Sequence, residues 1–117
     1  SEEYIKARAN MLKASREEGI DKVMEEHDLH GFIGITGGPA WKTDHTNGDN
    51  FGTSSSSPAA RAGYAAITVP MGFIDGLPVG ITFFGGAWME PEMIEMAYSF
   101  EQLTKVRKAP EFKSSEF

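Results

Sequence analysis

The stretch from Asn47 to Phe84 reads NGDNFGTSSSSPAARAGYAAITVPMGFIDGLPVGITFF, and it decides the fold. Four consecutive serines, Ser54–Ser57, stand directly before Pro58. This order is typical of a helix start, because a serine side chain can accept from the first free amides and a proline needs no amide proton there. We therefore expect Ser57 to cap a short helix over residues 59–62, which the following glycine breaks.

Hydrophobic periodicity predicts the elements around this helix. Two apolar runs rich in β-branched residues indicate strands over 66–69 and 79–84, and Pro70 is expected to stop the first of them. Asp75-Gly76 supplies turn chemistry between the two strands. Strands that alternate with helices predict an α/β fold in which helices cover a small sheet. The other predicted elements are helices over 2–18, 20–28 and 91–107, a strand over 32–36, and a loose tail over 111–117.

The helices are predicted to be amphipathic. Gly19 is expected to end the first helix, and a second short helix follows it. Apolar residues spaced three or four apart indicate which side of each helix packs against the sheet. In the last helix this apolar side consists of Met93, Met96, Ala97, Phe100 and Leu103.

Residues 40–57 form a long polar segment with little periodicity. A loop of this length inside a compact domain is usually functional or disordered. Trp41 and Phe51 lie in this loop, where an aromatic residue is more readily explained by ligand binding than by core packing. The loop is therefore the first place to look for a binding site.

Composition excludes several classes of protein. The chain has 117 residues, enough for one domain, and 17 acidic against 11 basic residues give a net charge of −6. A negative charge disfavours nucleic-acid binding, which needs a basic surface. The lack of cysteine excludes disulfides and thiolate nucleophiles and permits a cytoplasmic location, which we expect. No apolar run approaches the length of a membrane span, so no membrane association is expected.

The serine cluster allows a catalytic interpretation. Ser54–Ser57, with His45 as the base and Asp44 or Asp49 to orient it, would form a small serine hydrolase. The G-x-S-x-G elbow of many such enzymes is absent. Turn and helix-cap roles explain the serines more simply, and a third interpretation is that they line a substrate pocket.

Metal and phosphate sites are not indicated. His27, His30 and His45 match no metal-binding spacing, and the first two suit the end of a helix. Gly37-Gly38 follows a predicted strand but lacks the rest of a phosphate-binding motif, and Pro39 removes an amide donor. We expect neither a metal ion nor an organic cofactor.

Four segments, in this order, resemble the amidase signature family over about residues 20–112. The family is known for an Ala-Gly-Tyr step that leads into a strand ending in Val-Pro, followed by a second strand and a closing helix. The matching segments are Gly38-Pro-Ala-Trp-Lys42, Ala62-Gly-Tyr-Ala-Ala-Ile-Thr-Val-Pro-Met-Gly72, Gly76-Leu-Pro-Val-Gly-Ile-Thr-Phe-Phe-Gly85 and Glu101-Gln-Leu-Thr-Lys-Val-Arg107.

This resemblance implies the C-terminal portion of a bacterial amidase, a piece of a mixed-sheet fold. The family cleaves amide bonds with a Ser-Ser-Lys triad and needs no metal or organic cofactor. Its Gly/Ser-rich signature appears nowhere in this chain, and no residue here corresponds to the triad. The resemblance therefore implies no catalytic residue in this chain and no activity for it alone.

The resemblance also implies that the loops of this portion line the substrate funnel, so a small-molecule amide is the expected ligand. A three-stranded sheet has two edges, and exposed edges favour self-association. The alternative is a stand-alone module that binds a small ligand or a partner with the same strands. The expected substrate-binding residues are Trp41, Phe51, Ser54, Ser55, Ser56 and Ser57.

Overall fold

A computed structural model of the chain describes residues 1–111. It confirms the α/β class: helices pack on both faces of a three-stranded antiparallel sheet of order β1-β3-β2. Of the tail predicted to be loose, residues 112–117 lie outside the described range. The elements are α1 Glu2–Ser15, α2 Asp21–His27, β1 Phe32–Ile35, α3 Ser56–Ala62, β2 Ala66–Ile74, β3 Leu77–Phe84 and α4 Glu90–Thr104.

Strands β2 and β3 form a hairpin that is longer than predicted. Pro70 does not stop β2: it lies opposite Gly80, and the register shifts between Pro70 and Gly72. Because β2 is an edge strand, a proline without an amide proton is tolerated there, especially beside a bulge. The turn prediction is confirmed, since Asp75 and Gly76 have φ values of 51° and 81° and join the strands directly. Two positive φ values are the signature of a tight hairpin turn.

Strand β1 pairs with the other side of β3 and leaves one apolar face open. Ile35 lies opposite Ile81 on the face that α4 covers over β2 and β3. Ile33 and Ile35 are nevertheless 68% and 50% exposed, so α4 does not cover β1. The edge strand β1 thus carries an uncovered apolar surface.

The boundary between the first two helices falls close to Gly19 but takes another form. Instead of a left-handed stop, residues Arg16–Ile20 form a π-helical turn in which Gly19 has φ −120° and ψ −106°. A Cβ at Gly19 would lie 2.7 Å from the carbonyl oxygen of Ala14, so the kink needs a glycine. Ile20 is buried at the kink, whereas α1 has no buried residue at all.

Helix α3 begins two residues earlier than a Ser57 cap would require. It starts at Ser56, Ser55 stands at the cap position, and no side chain bonds the first amides, so the predicted cap is wrong. Gly63 ends the helix with φ 70°, a left-handed conformation that favours glycine. The backbone amide of the following residue, Tyr64, donates to the carbonyl of Ala59, so the glycine of the Ala-Gly-Tyr step has a physical reason.

A polar cluster fastens α3 to the first two helices. The Tyr64 hydroxyl donates to Asp21 Oδ2 at 2.9 Å, and Arg16 Nε donates to the carbonyl of Ala62 at 2.6 Å. The Arg16 guanidinium also lies 5.1 Å from the centre of the Tyr64 ring. Burial, and then the bond to Asp21, raise the pKa of Tyr64 above its ordinary value.

Helix α4 covers one face of the hairpin. Met93 and Ala97 are buried against Phe83, and the predicted apolar side is confirmed as far as Phe100. The helix ends at Thr104 rather than at residue 107, because Lys105 adopts a left-handed conformation with φ 46°. Leu103 is 86% exposed, so its predicted packing on the sheet is wrong.

The chain exposes much more surface than a complete domain of its mass. Its accessible surface is 9267 Å², whereas a folded monomer of this mass, 12.8 kDa, exposes about 6,300 Å². Its radius of gyration is 17.8 Å, against about 13 Å for a compact domain of this length. Such an open shape is expected of a part of a larger domain.

Candidate functional site

The long loop that follows β1 is closed at its base by its own backbone. Gly37 and Ser54 form an isolated antiparallel bridge, so the chain leaves the sheet and returns to it at the same point. Residues 38–53 between them contain no helix or strand. We call these residues the closed loop. Its two ends are fixed by the bridge, and residues 40–53 are exposed.

Two predicted site residues meet in the closed loop. The rings of Trp41 and Phe51 stand edge to face, with centroids 6.2 Å apart and an interplanar angle of 89°. The Trp41 indole nitrogen Nε1 also donates to Asp49 Oδ1 at 3.4 Å. Phe51 is 77% exposed and Trp41 is 41% exposed. The pair is therefore a surface feature and not part of a core.

Asp44 organises a turn in the closed loop. Its Oδ1 accepts from the amides of Thr46 and Asn47 at 2.8 and 2.9 Å, and its Oδ2 accepts from the Asn47 side-chain amide at 2.8 Å. The bond from the Asn47 side chain, with the two backbone bonds, lowers the pKa of Asp44 below its ordinary value. The carboxylate of Asp44 is thus used internally.

The four serines do not act as one group. Ser54 and Ser56 bond to each other with their Oγ atoms 3.1 Å apart. Ser55 points at the sheet, where its Cβ lies 2.8 Å from the position a Cβ would take on Gly34. Ser57 instead faces a groove of about 410 Å³, which Phe32, Phe84 and residues of the α1–α2 kink also line.

Three threonines that the sequence did not single out form a hydroxyl network beside these serines. Thr82 Oγ1 lies 2.7 Å from Thr36 Oγ1 and 2.9 Å from Thr68 Oγ1. A weaker bond of 3.4 Å joins Thr36 to Thr68. Thr82 is 4% exposed, while Thr68 is exposed. We call Thr36, Thr68 and Thr82 the threonine cluster.

The threonine cluster lies on the same sheet face as Ser55. Gly34 and Thr68 both lie opposite Thr82 in the register, and opposite residues of antiparallel strands share a face. Thr36 follows Gly34 by two residues, so it lies on that face as well. It also directly precedes the bridge at Gly37, which places the cluster at the base of the closed loop.

One buried hydroxyl has no partner. The Oγ of Ser55 is inaccessible to solvent and makes no hydrogen bond within the described part of the chain. A buried polar atom left in this state costs free energy, so such an atom calls for an explanation. Its position next to Gly34 and the threonine cluster makes it the most unusual polar atom of this face.

The geometry supports binding better than catalysis. Ser54 and Ser56 bond to each other, and no hydrogen bond joins them to His45 within residues 1–111. Activation of a serine needs such a base within reach. Among the same residues, no group of three or more histidine, aspartate or glutamate side chains is placed to hold a metal ion. The hydroxyls of Ser54 and Ser56 and the rings of Trp41 and Phe51 remain as groups that could contact a polar organic molecule.

Comparison with solved structures identifies the scaffold. The peptide amidase PAM in complex with the competitive inhibitor chymostatin superposes with a TM-score of 0.87 and 49% identity, covering 93% of this chain and 22% of that chain. The native peptide amidase from Stenotrophomonas maltophilia gives a TM-score of 0.85, with 46% identity over 95% of this chain and 22% of that chain. The chain belongs to the amidase family. The predicted recognition and fold are thereby confirmed.

Curated relatives agree. A protein of Arabidopsis thaliana named "Probable amidase" is 34% identical over 94% of this chain and 19% of its own length. A glutamyl-tRNA(Gln) amidotransferase subunit from Lactiplantibacillus plantarum is 37% identical over 76% of this chain and 19% of its own length. The chain therefore spans about a fifth of the length of these amidase-family proteins. No protein-family model matches it.

No helix within residues 1–111 combines the length and apolar character that crossing a membrane requires.

Proposed function

We propose that this chain is the C-terminal part of an amide-bond hydrolase and supplies part of the wall of its substrate site. The observation that carries the proposal is the superposition on peptide amidases at 46–49% identity over more than nine tenths of the chain. An identity at this level over a whole segment favours a shared reaction. The catalytic serines and lysine would lie outside this segment, in the larger part of the protein.

Within this segment, the proposed substrate contacts are Trp41, Phe51 and the serines at the end of the closed loop. Ser54, Ser55 and Ser56 lie where the loop rejoins the sheet, next to the threonine cluster. Ser57 lies in the groove under the helix kink, which Phe32 and Phe84 of the same sheet face also line, and it would contribute to the site only indirectly. The serine hydroxyls would orient the amide group of the substrate. The rings of Trp41 and Phe51 would contact the substituents of that amide.

A stand-alone binding module is less well supported. A module that functions alone needs a closed core, whereas this chain exposes about 3,000 Å² more than a monomer of its mass. Ile33 and Ile35 on the edge strand would be covered in the intact protein. In the separated segment, the same edge would drive self-association.

Further expectations follow from composition. The net charge of −6 supports a protein that does not bind nucleic acid. The lack of cysteine suits a reducing compartment, and a cytoplasmic location remains the proposed one.

The test is release of ammonia from N-acetylated dipeptide amides by the full-length protein. We expect hydrolysis, and we expect each of Ser54→Ala, Ser55→Ala and Ser56→Ala to change KM more than kcat. A loss of kcat of a thousandfold or more in any one of these variants would place the nucleophile here and contradict the proposal. Failure to hydrolyse any amide would contradict it as well.

A further inference from the structure

Trp41, Phe51 and Asp49 form one group on the surface of the closed loop. Trp41 contacts Phe51 through its ring and Asp49 through its indole N–H. We call these three residues the aromatic–carboxylate group. Phe51 is 77% exposed although it contacts Trp41, so much of its ring surface remains open. The group thus combines open aromatic surface with a carboxylate.

The two aspartates of the closed loop, Asp44 and Asp49, differ in how many further hydrogen bonds their carboxylates can accept. Both oxygens of Asp44 already accept bonds from its own turn. Asp49 accepts one long bond, at 3.4 Å, on a single oxygen. A carboxylate has about four lone-pair sites, so Asp49 retains most of its capacity. Lys42 adds the only other full charge of residues 38–53, which leaves the loop with a net negative charge.

We propose that the aromatic–carboxylate group binds a cationic group of the substrate, such as the guanidinium or ammonium of a basic residue in a peptide amide. A guanidinium stacks on an aromatic face and pairs with a carboxylate through two parallel hydrogen bonds. Asp49 supplies the carboxylate and Phe51 the aromatic surface, and both residues contact Trp41. This inference rests on the proposed function, because it names the class of amide substrate that the intact protein prefers.

A neutral apolar side chain is the competing occupant. It would contact the rings of Trp41 and Phe51 but would gain nothing from Asp49, since a carboxylate offers an apolar group no bond. Two ligands of the same shape, one cationic and one neutral, therefore distinguish between these two occupants. Arginine and citrulline provide this comparison, because citrulline replaces the guanidinium by a neutral urea of nearly the same form.

The experiment compares N-acetylated dipeptide amides that contain arginine or citrulline at each position in turn, with the full-length protein. We expect kcat/KM to favour arginine by about fivefold to tenfold at one position, from the combined effect of a cation over a ring and a surface ion pair. Asp49→Asn should bring this ratio to about one. Phe51→Leu, which keeps an apolar side chain but removes the ring, should reduce it.

Asp75→Asn is the matched control. It removes the same charge from the exposed hairpin turn, where asparagine tolerates the left-handed conformation of Asp75. The arginine-to-citrulline ratio should stay at its wild-type value in this variant. A ratio that falls equally in both variants would mean that overall charge steers the substrate, and this would overturn the proposed site.

Failure of this inference can be told apart from failure of the proposed function. Equal rates for arginine and citrulline in the wild-type protein would overturn the cation site while leaving amide hydrolysis intact. If the protein released no ammonia from any amide, calorimetric titration with Nα-acetylarginine amide and Nα-acetylcitrulline amide would decide the site. A preference for arginine that disappears in Asp49→Asn supports the cation site, and equal affinities overturn it.

Discussion

Gly37 and Ser54 form a backbone bridge that encloses residues 38–53, and this single pairing gives an irregular segment a fixed base. The bridge follows Thr36, whose hydroxyl bonds to Thr82 on the central strand. The base of the loop is therefore continuous with a hydroxyl network in the sheet. We therefore expect changes in this network to affect the proposed substrate site as well as stability.

A substitution at Gly80 tests whether the threonine cluster contributes to stability. A Cβ there would lie 2.8 Å from Thr68 Cγ2 and 2.9 Å from Thr36 Oγ1, so alanine would push the threonine cluster apart. We expect Gly80→Ala to lower the free energy of unfolding of the full-length protein by about 1–3 kcal/mol, the usual cost of overpacking. Denaturant unfolding measures it. Gly52→Ala, where nothing lies within 4 Å, is the control and should have little effect.

Thr82 tests the hydroxyl network itself. Thr82→Val keeps the shape but leaves Thr36 and Thr68 with one weak bond between them. We expect a loss of about 1–2 kcal/mol in the free energy of unfolding, because hydroxyls in a partly buried site lose their partner. The exposed Thr53→Val is the control. The triple variant with valine at all three positions should recover part of the loss, and a further loss there would contradict this account.

The buried hydroxyl of Ser55 leads to the opposite expectation. Since its Oγ has no partner and caps no helix amide, Ser55→Ala should leave the free energy of unfolding unchanged or raise it by up to about 1 kcal/mol. Thermal unfolding of the full-length protein measures this. A clear destabilisation would mean that the hydroxyl bonds to another part of the protein. A raised KM with unchanged stability would support a substrate contact.

The pKa of Tyr64 predicts how stability depends on pH. The folded state raises this pKa, so the protonated phenol contributes its stability fully below the unfolded pKa of about 10 and loses it as the pH rises through the folded value. Tyr64→Phe lacks both the bond to Asp21 and this titration. The stability advantage of the wild type over Tyr64→Phe should therefore be constant from pH 7 to 9 and shrink above pH 10. An advantage that grew with pH would contradict the assignment.

The sequence predicted the fold class and the hairpin turn because these depend on local patterns. Asp75-Gly76 is recognisable wherever it stands between two apolar runs, and the two φ values confirm it. Pro70 misled because its effect depends on whether the strand lies at an edge, which no local pattern reveals. The site was less predictable still. The four serines are consecutive in sequence, but Ser55 packs against Gly34 of the sheet whereas Ser57 lines the groove under the helix kink.

The threonine cluster shows where sequence reasoning ends. Thr68 and Thr82 lie in β2 and β3, Thr36 directly follows β1, and only the strand order β1-β3-β2 brings their hydroxyls together. Thr68 and Thr82 each interrupt an apolar strand, which is a signal of a polar position on one face. That signal could have indicated that Thr68 and Thr82 lie on a polar sheet face. It could not have indicated which residues they bond to, because strand pairing depends on residues far apart in sequence.

The central claim is that this segment forms part of an amidase whose reactive serine lies elsewhere. The most direct measurement is to label the full-length protein with a fluorophosphonate, digest it and locate the modified serine by mass spectrometry. This account predicts a modified serine outside residues 1–117. Modification of Ser54, Ser55, Ser56 or Ser57 would contradict it.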